Sequence, residues 1–396
     1  MVSEKMLALG QDRSVIRDIA EYGSQRKAEI GEENVFDFSI GNPNVPAPQV
    51  VTDTLCELLA NTPAQQLHAY TSAPGDMQVR KAVAGYVEKT FDFSARAELI
   101  YMTVGAAASL AITMTALTEA GDEMIALAPY FPEYRVFAEQ AGAKFVPVNC
   151  QEGTFQLDPD ALERAINVHT KAVVVNSPNN PTGVVLNQES VEALCRILTQ
   201  KEKEYGHPIY LIADEPYREI VFDDTKVSYL PKYYKNTIVC YSFSKSLSLP
   251  GERIGYILVS PEAERAETVF AAICGAGRAL GYICAPSLFQ QLVKKCLGVT
   301  ADISIYDENR KLLYNALTEY GYEAVYPDGA FYLFLKSPEP DAVAFCEKAK
   351  AFDLLLVPAD SFGCPGYVRI AYCVTTQQIR RSLPAFKKLA DLYKGE

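Results

Sequence analysis

At 396 residues the chain is longer than one small core needs, and its length suggests two or three domains. Hydrophobic residues at 49% and charged residues at 22% are the balance of a soluble globular protein. With 37 Lys and Arg against 49 Asp and Glu, the net charge of −12 argues against nucleic acid or an anionic membrane as the main partner, so an anionic ligand must be held by local cations.

The start, Met1 to Met6, carries Glu4 where a secretory signal is basic, and no apolar core follows; this predicts a cytoplasmic protein. Residues 1 to about 35 read as helical and polar, followed by a short strand over 35–40 that ends in Gly41-Asn42-Pro43. From 98 to 260, short apolar runs alternate with helical patterns. The predicted strands are 99–103, 124–128, 144–148, 172–176, 209–213, 237–241 and 255–259. Several are hydrophobic on both faces, as suits strands covered by helices on either side. Between them, Val191, Leu194, Ile197 and Leu198 have helical spacing, and Asn187 is placed to cap that helix. The pattern is α/β, a doubly wound, mostly parallel sheet flanked by helices.

After Pro286 a single long helix is expected over 288–320, then strands near 331–335 and 368–372 with a helix at 342–351 between them, and a last helix from Thr376. These segments predict a smaller α+β domain built from both chain ends: 1–48 and 288–396 around a large domain at 49–287. No run is apolar enough and long enough to span a membrane. Ten cysteines without a CxxC pair, and only three histidines, favour packed reduced thiols over disulfides or a metal site, Cys195, Cys240, Cys274 and Cys346 among them. The segment Gly275 to Gly281 imitates a dinucleotide fingerprint, but three residues separate its last two glycines and no clear strand precedes it.

The chemistry gathers at the ends of the predicted strands, where an open α/β sheet binds its ligands. Ser242-Phe243-Ser244-Lys245, with Arg253 close behind, puts an amine, two hydroxyls and a guanidinium in one short stretch. That set can hold a phosphorylated aldehyde: the amine bonds the carbonyl carbon, and the hydroxyls and guanidinium take the phosphate. Alone, a lysine after a serine is more often a solvated surface residue. Asp214, ending the strand that precedes Tyr217, either caps a helix or keeps a ring nitrogen protonated. Asn179-Asn180-Pro181-Thr182-Gly183 is a turn at the least. Gly105-Ala106-Ala107 opens a helix whose free amides favour an anion. Arg369 lies in an apolar strand, where an unpaired guanidinium is costly.

Taken together and in this order, Asn179 to Gly183, Asp214 with Tyr217, Ser242 with Lys245, Arg253 and Arg369 resemble the signature of the class I/II aminotransferases, fold-type I enzymes that use pyridoxal 5′-phosphate. The resemblance runs from Gly41 to Arg369. It implies that Lys245 forms the Schiff base and shuttles the proton, that Asp214 pairs with the ring nitrogen, and that Asn180 and Tyr217 bond the ring oxygen. Ser242, Ser244, Arg253, Ala106 and Ala107 would hold the phosphate, and Phe131 would stack on the ring. Tyr70 resembles the tyrosine that reaches the neighbouring subunit's phosphate, which implies a homodimer. Arg369 would clamp the substrate α-carboxylate, with Gly41 and Asn42 closing over it and Asn180 alongside. Arg278 is the candidate for a distal carboxylate, while alanine at 107 weakens a simple aspartate specificity.

The implied reaction moves an amino group between an L-amino acid (aspartate, aromatic or neutral) and a 2-oxo acid such as 2-oxoglutarate, by ping-pong kinetics. Phe36, Phe331 and Tyr332 suggest an aromatic-lined approach or are simply core. A C–S β-lyase on the same scaffold is the alternative within the enzyme class. A ligand-sensing regulator is the non-enzyme alternative, disfavoured by the acidic charge and the short stretch before Gly41.

Overall fold

The computed structural model describes residues 2–11 and 15–394; part of the helical expectation for the first 35 residues, at 12–14, lies outside the described residues. A short helix, Glu4–Gln11, precedes α1 (Val15–Ile30). The large sheet has seven strands: β1 (Ile100–Thr103), β2 (Glu123–Ala128), β3 (Lys144–Asn149), β4 (Thr170–Asn176), β5 (Tyr210–Asp214), β6 (Thr237–Ser242) and β7 (Gly255–Val259). Their order is β1-β7-β6-β5-β4-β2-β3. Strands β2 to β6 run parallel, while β7 is antiparallel to both its neighbours. Each expected strand is present, with ends moved by a residue or two.

Alternation builds the two faces. Leu211 and Ala213 of β5 face one core with the helix α3 (Gln188–Tyr205, after α2 at Ala106–Leu117), while Tyr210 and Ile212 face the other, against α2 and α4 (Ala266–Leu280). Helix α3 buries Val191, Leu194, Ile197 and Leu198, each side chain contributing roughly 1.5–3 kcal/mol. It starts where the Asn187 side chain accepts from Ser190 N at 2.8 Å and stops at Gly206, in the left-handed region at φ 73°. The 275–281 glycines fall within and just after α4, so no dinucleotide loop forms there.

The second sheet is antiparallel and comprises β8 (Ala324–Val325), β9 (Tyr332–Lys336), β10 (Val357–Pro358) and β11 (Tyr367–Ala371), in the order β10-β11-β9-β8. The expected strand at 35–40 is only Phe36–Asp37, because Asp37 Oδ1 takes both the N and Oγ of Ser39 and turns the chain. That pair runs parallel to Leu354–Leu355, joining the two ends of the chain.

The single helix expected over 288–320 is two, Ser287–Cys296 and Ser304–Glu319. Gly298 at φ 78° breaks it, and the freed Ala301 N donates to Ser246 O at 2.7 Å. All ten cysteines are free; Cys195, Cys240 and Cys346 are buried and Cys274 half-buried. Among the described residues, no helix is long and apolar enough to cross a membrane.

Candidate active site

Because β4, β5 and β6 run parallel, Asn176, Asp214 and Ser242 end together at one edge of the sheet. A cavity of about 300 Å³ opens there, lined by Gly41, Ala106, Ala107, Phe131, Asn180, Asp214, Tyr217, Ser242, Ser244, Lys245, Arg253 and Arg369. The structure therefore brings together twelve of the residues singled out from the sequence. Tyr70 and Arg278 do not line it. Tyr70 is 97% exposed, and Arg278 is an exposed residue of α4.

Asp214 is fully buried, and its register partner Asn176 on β4 donates from Nδ2 to the Asp214 backbone oxygen at 2.9 Å and to Oδ2 at 3.4 Å. The Tyr134 hydroxyl donates to the same Oδ2. Among the described residues, Oδ1 has no hydrogen-bond partner. Burial pushes the carboxyl up to about 7, and the Tyr134 bond only partly offsets this. A buried carboxylate oxygen without a donor costs free energy that a cationic N–H in the cavity would recover.

Lys245 sits in a single helical turn, Phe243–Ser246, capped by Ser242, whose Oγ accepts from Ser244 N at 3.2 Å. The turn is braced from behind: Tyr241 OH lies 3.0 Å from Ser246 Oγ and donates to Glu219 Oε1 at 2.9 Å. The amine itself donates to Gly41 O at 2.8 Å. Burial lowers its pKa to about 8, with the Arg253 and Arg369 charges acting in the same direction. Such an amine is a nucleophile and base near neutral pH, which a solvated lysine is not.

The anion-holding end is equally local. Ser242 Oγ lies 2.7 Å from Ser244 Oγ, and Arg253 Nη1 reaches Ser244 Oγ at 3.4 Å and Pro250 O at 2.9 Å. Arg253 is held at φ 51°, and across from it Gly105 opens α2 at φ 87°. A Cβ on Gly105 would stand 2.7 Å from Arg253 Nη2, so the glycine keeps the α2 amides and the guanidinium facing one space.

Arg369, on β11 opposite Phe334, is 2% exposed. It donates to Asn180 Oδ1 at 3.1 Å and to Ser39 O, and among the described residues its Nε has no hydrogen-bond partner. Its guanidinium lies 4.8 Å from the Tyr332 ring centre and 5.0 Å from that of Phe362. The site thus presents an amine, a carboxylate lacking one donor, a phosphate-sized cradle and a guanidinium with bonding capacity to spare.

Sequence reasoning missed Tyr134, Asn176 and Ile16. Tyr134 stands three residues after Phe131 on the first turn of the helix Glu133–Gln140, and an inward-facing tyrosine there was the available signal. Asn176 is a polar residue ending an apolar strand, in register with Asp214. Ile16, on α1, carried no signal beyond helical spacing. Tyr332, read as approach or core, is both: it is buried and lines the cavity.

Three comparisons agree with this geometry. Residues 33–386 match the family model for aminotransferase class I and II. The aspartate/prephenate aminotransferase of Thermus thermophilus is 29% identical over 358 residues, which cover 89% of this chain and 90% of that protein. The aspartate aminotransferase of Pyrococcus horikoshii is 27% identical, covering 100% of this chain and 98% of that one. Among solved structures, an amino transferase from Eubacterium rectale superposes with a TM-score of 0.97 at 56% identity, covering 99% of both chains. The aspartate aminotransferase of Thermotoga maritima superposes at 0.86 with 26% identity, covering 98% of this chain and 100% of that one. With its family motif, sheet and site in agreement, the chain is a member of the class I and II aminotransferases.

Proposed function

We propose that this aminotransferase works with pyridoxal 5′-phosphate and transfers an amino group between an L-amino acid and a 2-oxo acid such as 2-oxoglutarate. The observation that carries this reading is the buried Asp214 Oδ1, without a hydrogen-bond partner among the described residues, in the same cavity as the Lys245 amine. Bound there, the cofactor supplies an aldehyde carbon for the lysine and a protonated ring that withdraws electron density. The residues present fit it. Asp214 would hold the ring nitrogen, Asn180 and Tyr217 the ring oxygen, and Phe131 would cover a ring face. Ser242, Ser244, Arg253 and the Ala106 and Ala107 amides would take the phosphate.

The chain's own groups then divide the work. Arg369 binds the substrate α-carboxylate with its spare Nε and the nitrogens now on Asn180 and Ser39. Gly41, whose carbonyl holds Lys245 Nζ, lines the same pocket. Lys245 Nζ, with a pKa lowered to about 8, takes the proton from the substrate Cα. The relatives' names, aspartate, aspartate/prephenate and aromatic-amino-acid aminotransferases, support an aspartate or aromatic donor and transfer over C–S elimination.

The division into 1–48 and 288–396 around 49–287 is supported by the pairing of Phe36–Asp37 with Leu354–Leu355. A homodimer is supported by an exposed apolar patch beside Tyr70: Leu280, Tyr282 and Ile283, tied to the Tyr70 loop by Cys284 N donating to Ala73 O at 3.3 Å. In that dimer Tyr70 reaches the partner's phosphate site, and Arg278 serves a distal carboxylate from the same face. Free thiols throughout support a cytoplasmic location.

The experiment is reconstitution of the purified protein with pyridoxal 5′-phosphate, borohydride reduction and peptide mapping. A visible band and an adduct on the Lys245 peptide are expected, both lost in Lys245→Ala. A panel of amino donors with 2-oxoglutarate then ranks substrates. Protein that stays colourless and unlabelled ends the proposal.

A further inference from the structure

Tyr332 has a hydroxyl in the cavity that the reading above leaves without a task. It opens β9, is 2% exposed, and its hydroxyl lies 2.9 Å from that of Tyr217. Its ring has little freedom. The Arg369 guanidinium covers it at 4.8 Å, Tyr217 packs edge-on at 5.7 Å, and a Cβ on Gly41 would stand 2.0 Å from the hydroxyl oxygen.

Each of the two hydroxyls carries one hydrogen, so only one of them can donate across the 2.9 Å contact. If Tyr217 donated, it would keep no hydrogen for a ligand in the cavity. If Tyr332 donates, Tyr217 keeps its hydrogen, and its oxygen is polarised by the bond it accepts, which strengthens what it donates onward. The Arg369 charge favours proton loss from both phenols, but it is the leading influence after burial on Tyr332 and ranks behind the Tyr332 contacts on Tyr217, and its guanidinium lies over the Tyr332 ring. A cation there favours loss of the tyrosine proton and so makes Tyr332 the better donor. Burial acts the other way on Tyr332, lifting it to about 12, so it remains a neutral donor throughout the physiological range.

We propose that Tyr332 is a positioning residue: its hydroxyl donates to Tyr217, orients the Tyr217 proton into the cavity toward the cofactor's ring oxygen, and thereby lowers the pH at which the Lys245–cofactor linkage loses its proton. The inference rests on the pyridoxal phosphate reading above. It assigns a function to a side chain on the small sheet that acts through one in the turn following β5 of the large sheet.

The test uses the reconstituted wild-type protein, Tyr332→Phe, Tyr217→Phe and the double variant, with the visible absorbance titrated against pH. Tyr332→Phe keeps the ring under Arg369 and removes only the donor. Its titration midpoint should rise by roughly 0.4 to 1 pH unit, the equivalent of one neutral hydrogen bond. In the Tyr217→Phe background the same change should shift the midpoint no further, since its route is gone. A wild-type midpoint in Tyr332→Phe overturns the inference, as does an equal shift with and without the Tyr217 hydroxyl. Wild-type protein with no visible band at all fails the cofactor reading itself and takes the inference with it, whereas a visible band that does not change with pH overturns the inference alone.

Discussion

Arg369 Nη1 donates to Asn180 Oδ1 at 3.1 Å, and through that bond the small sheet holds the loop that follows β4 of the large one. The same guanidinium donates to Ser39 O, so three separated stretches of chain meet on one side chain. Lysine offers a compact charge without the planar fork and cannot serve these partners and a carboxylate together. Arg369→Lys should therefore lower kcat/KM for the amino donor about 10- to 100-fold, the worth of one charged hydrogen bond. Steady-state kinetics alongside the visible spectrum check this. Loss of the cofactor band as well would mean that the arginine mainly supports the fold.

Ionisation should leave its mark on the stability of the cofactor-free protein. Burial raises both Asp214 and Glu219 to about 7. Both folded values lie above the unfolded ones of about 4, so the folded state holds these protons more tightly. The linked stability is present in full below the unfolded values and is lost as pH rises through 7. Melting temperature should fall between about pH 5 and 8, less steeply in Asp214→Asn and least in Asp214→Asn with Glu219→Gln. Thermal melts across that range decide it; three identical slopes would show that neither carboxyl titrates there.

Gly41 stands where a side chain cannot. An added Cβ would lie 2.0 Å from the Tyr332 hydroxyl and 2.8 Å from its ring, while the Gly41 carbonyl must stay within reach of Lys245. Gly41→Ala should cost roughly 1–3 kcal/mol of stability and displace that carbonyl. Chemical denaturation gives the first quantity, and the pH dependence of cofactor attachment at Lys245 reports the second. An unchanged attachment profile would show that the segment moves freely.

Asn187→Ala probes the scaffold alone. It removes the acceptor for Ser190 N at the start of α3, and Asn187 is not among the cavity-lining residues. A loss of about 1 kcal/mol in unfolding free energy with unaltered kcat is expected. A change in kcat would show that the helix couples to the site.

The strands of the large sheet were legible because their alternation puts apolar residues on both faces, and the motif residues stood out because they end those strands. Tyr134 and Asn176 were not, since each earns its place only through Asp214, 80 and 38 residues further along the chain. The break at Gly298 was masked because apolar spacing resumes at Tyr306 after the turn, so periodicity reads through it. For Arg278, position in the chain showed neither the helix that carries it nor the side it faces; α4 turns that residue outward.

The reversed direction of β7 has a consequence for how the site holds together. Because β6 and β7 are antiparallel neighbours, residues 243–254 form one hairpin connection, and Ser244, Lys245 and Arg253 all ride on it. Nucleophile and anion clamp are therefore one cassette whose spacing is set by local chain geometry rather than by docking of distant parts. A circular permutant opened between Leu247 and Gly251 would uncouple them while leaving every strand of the large sheet intact.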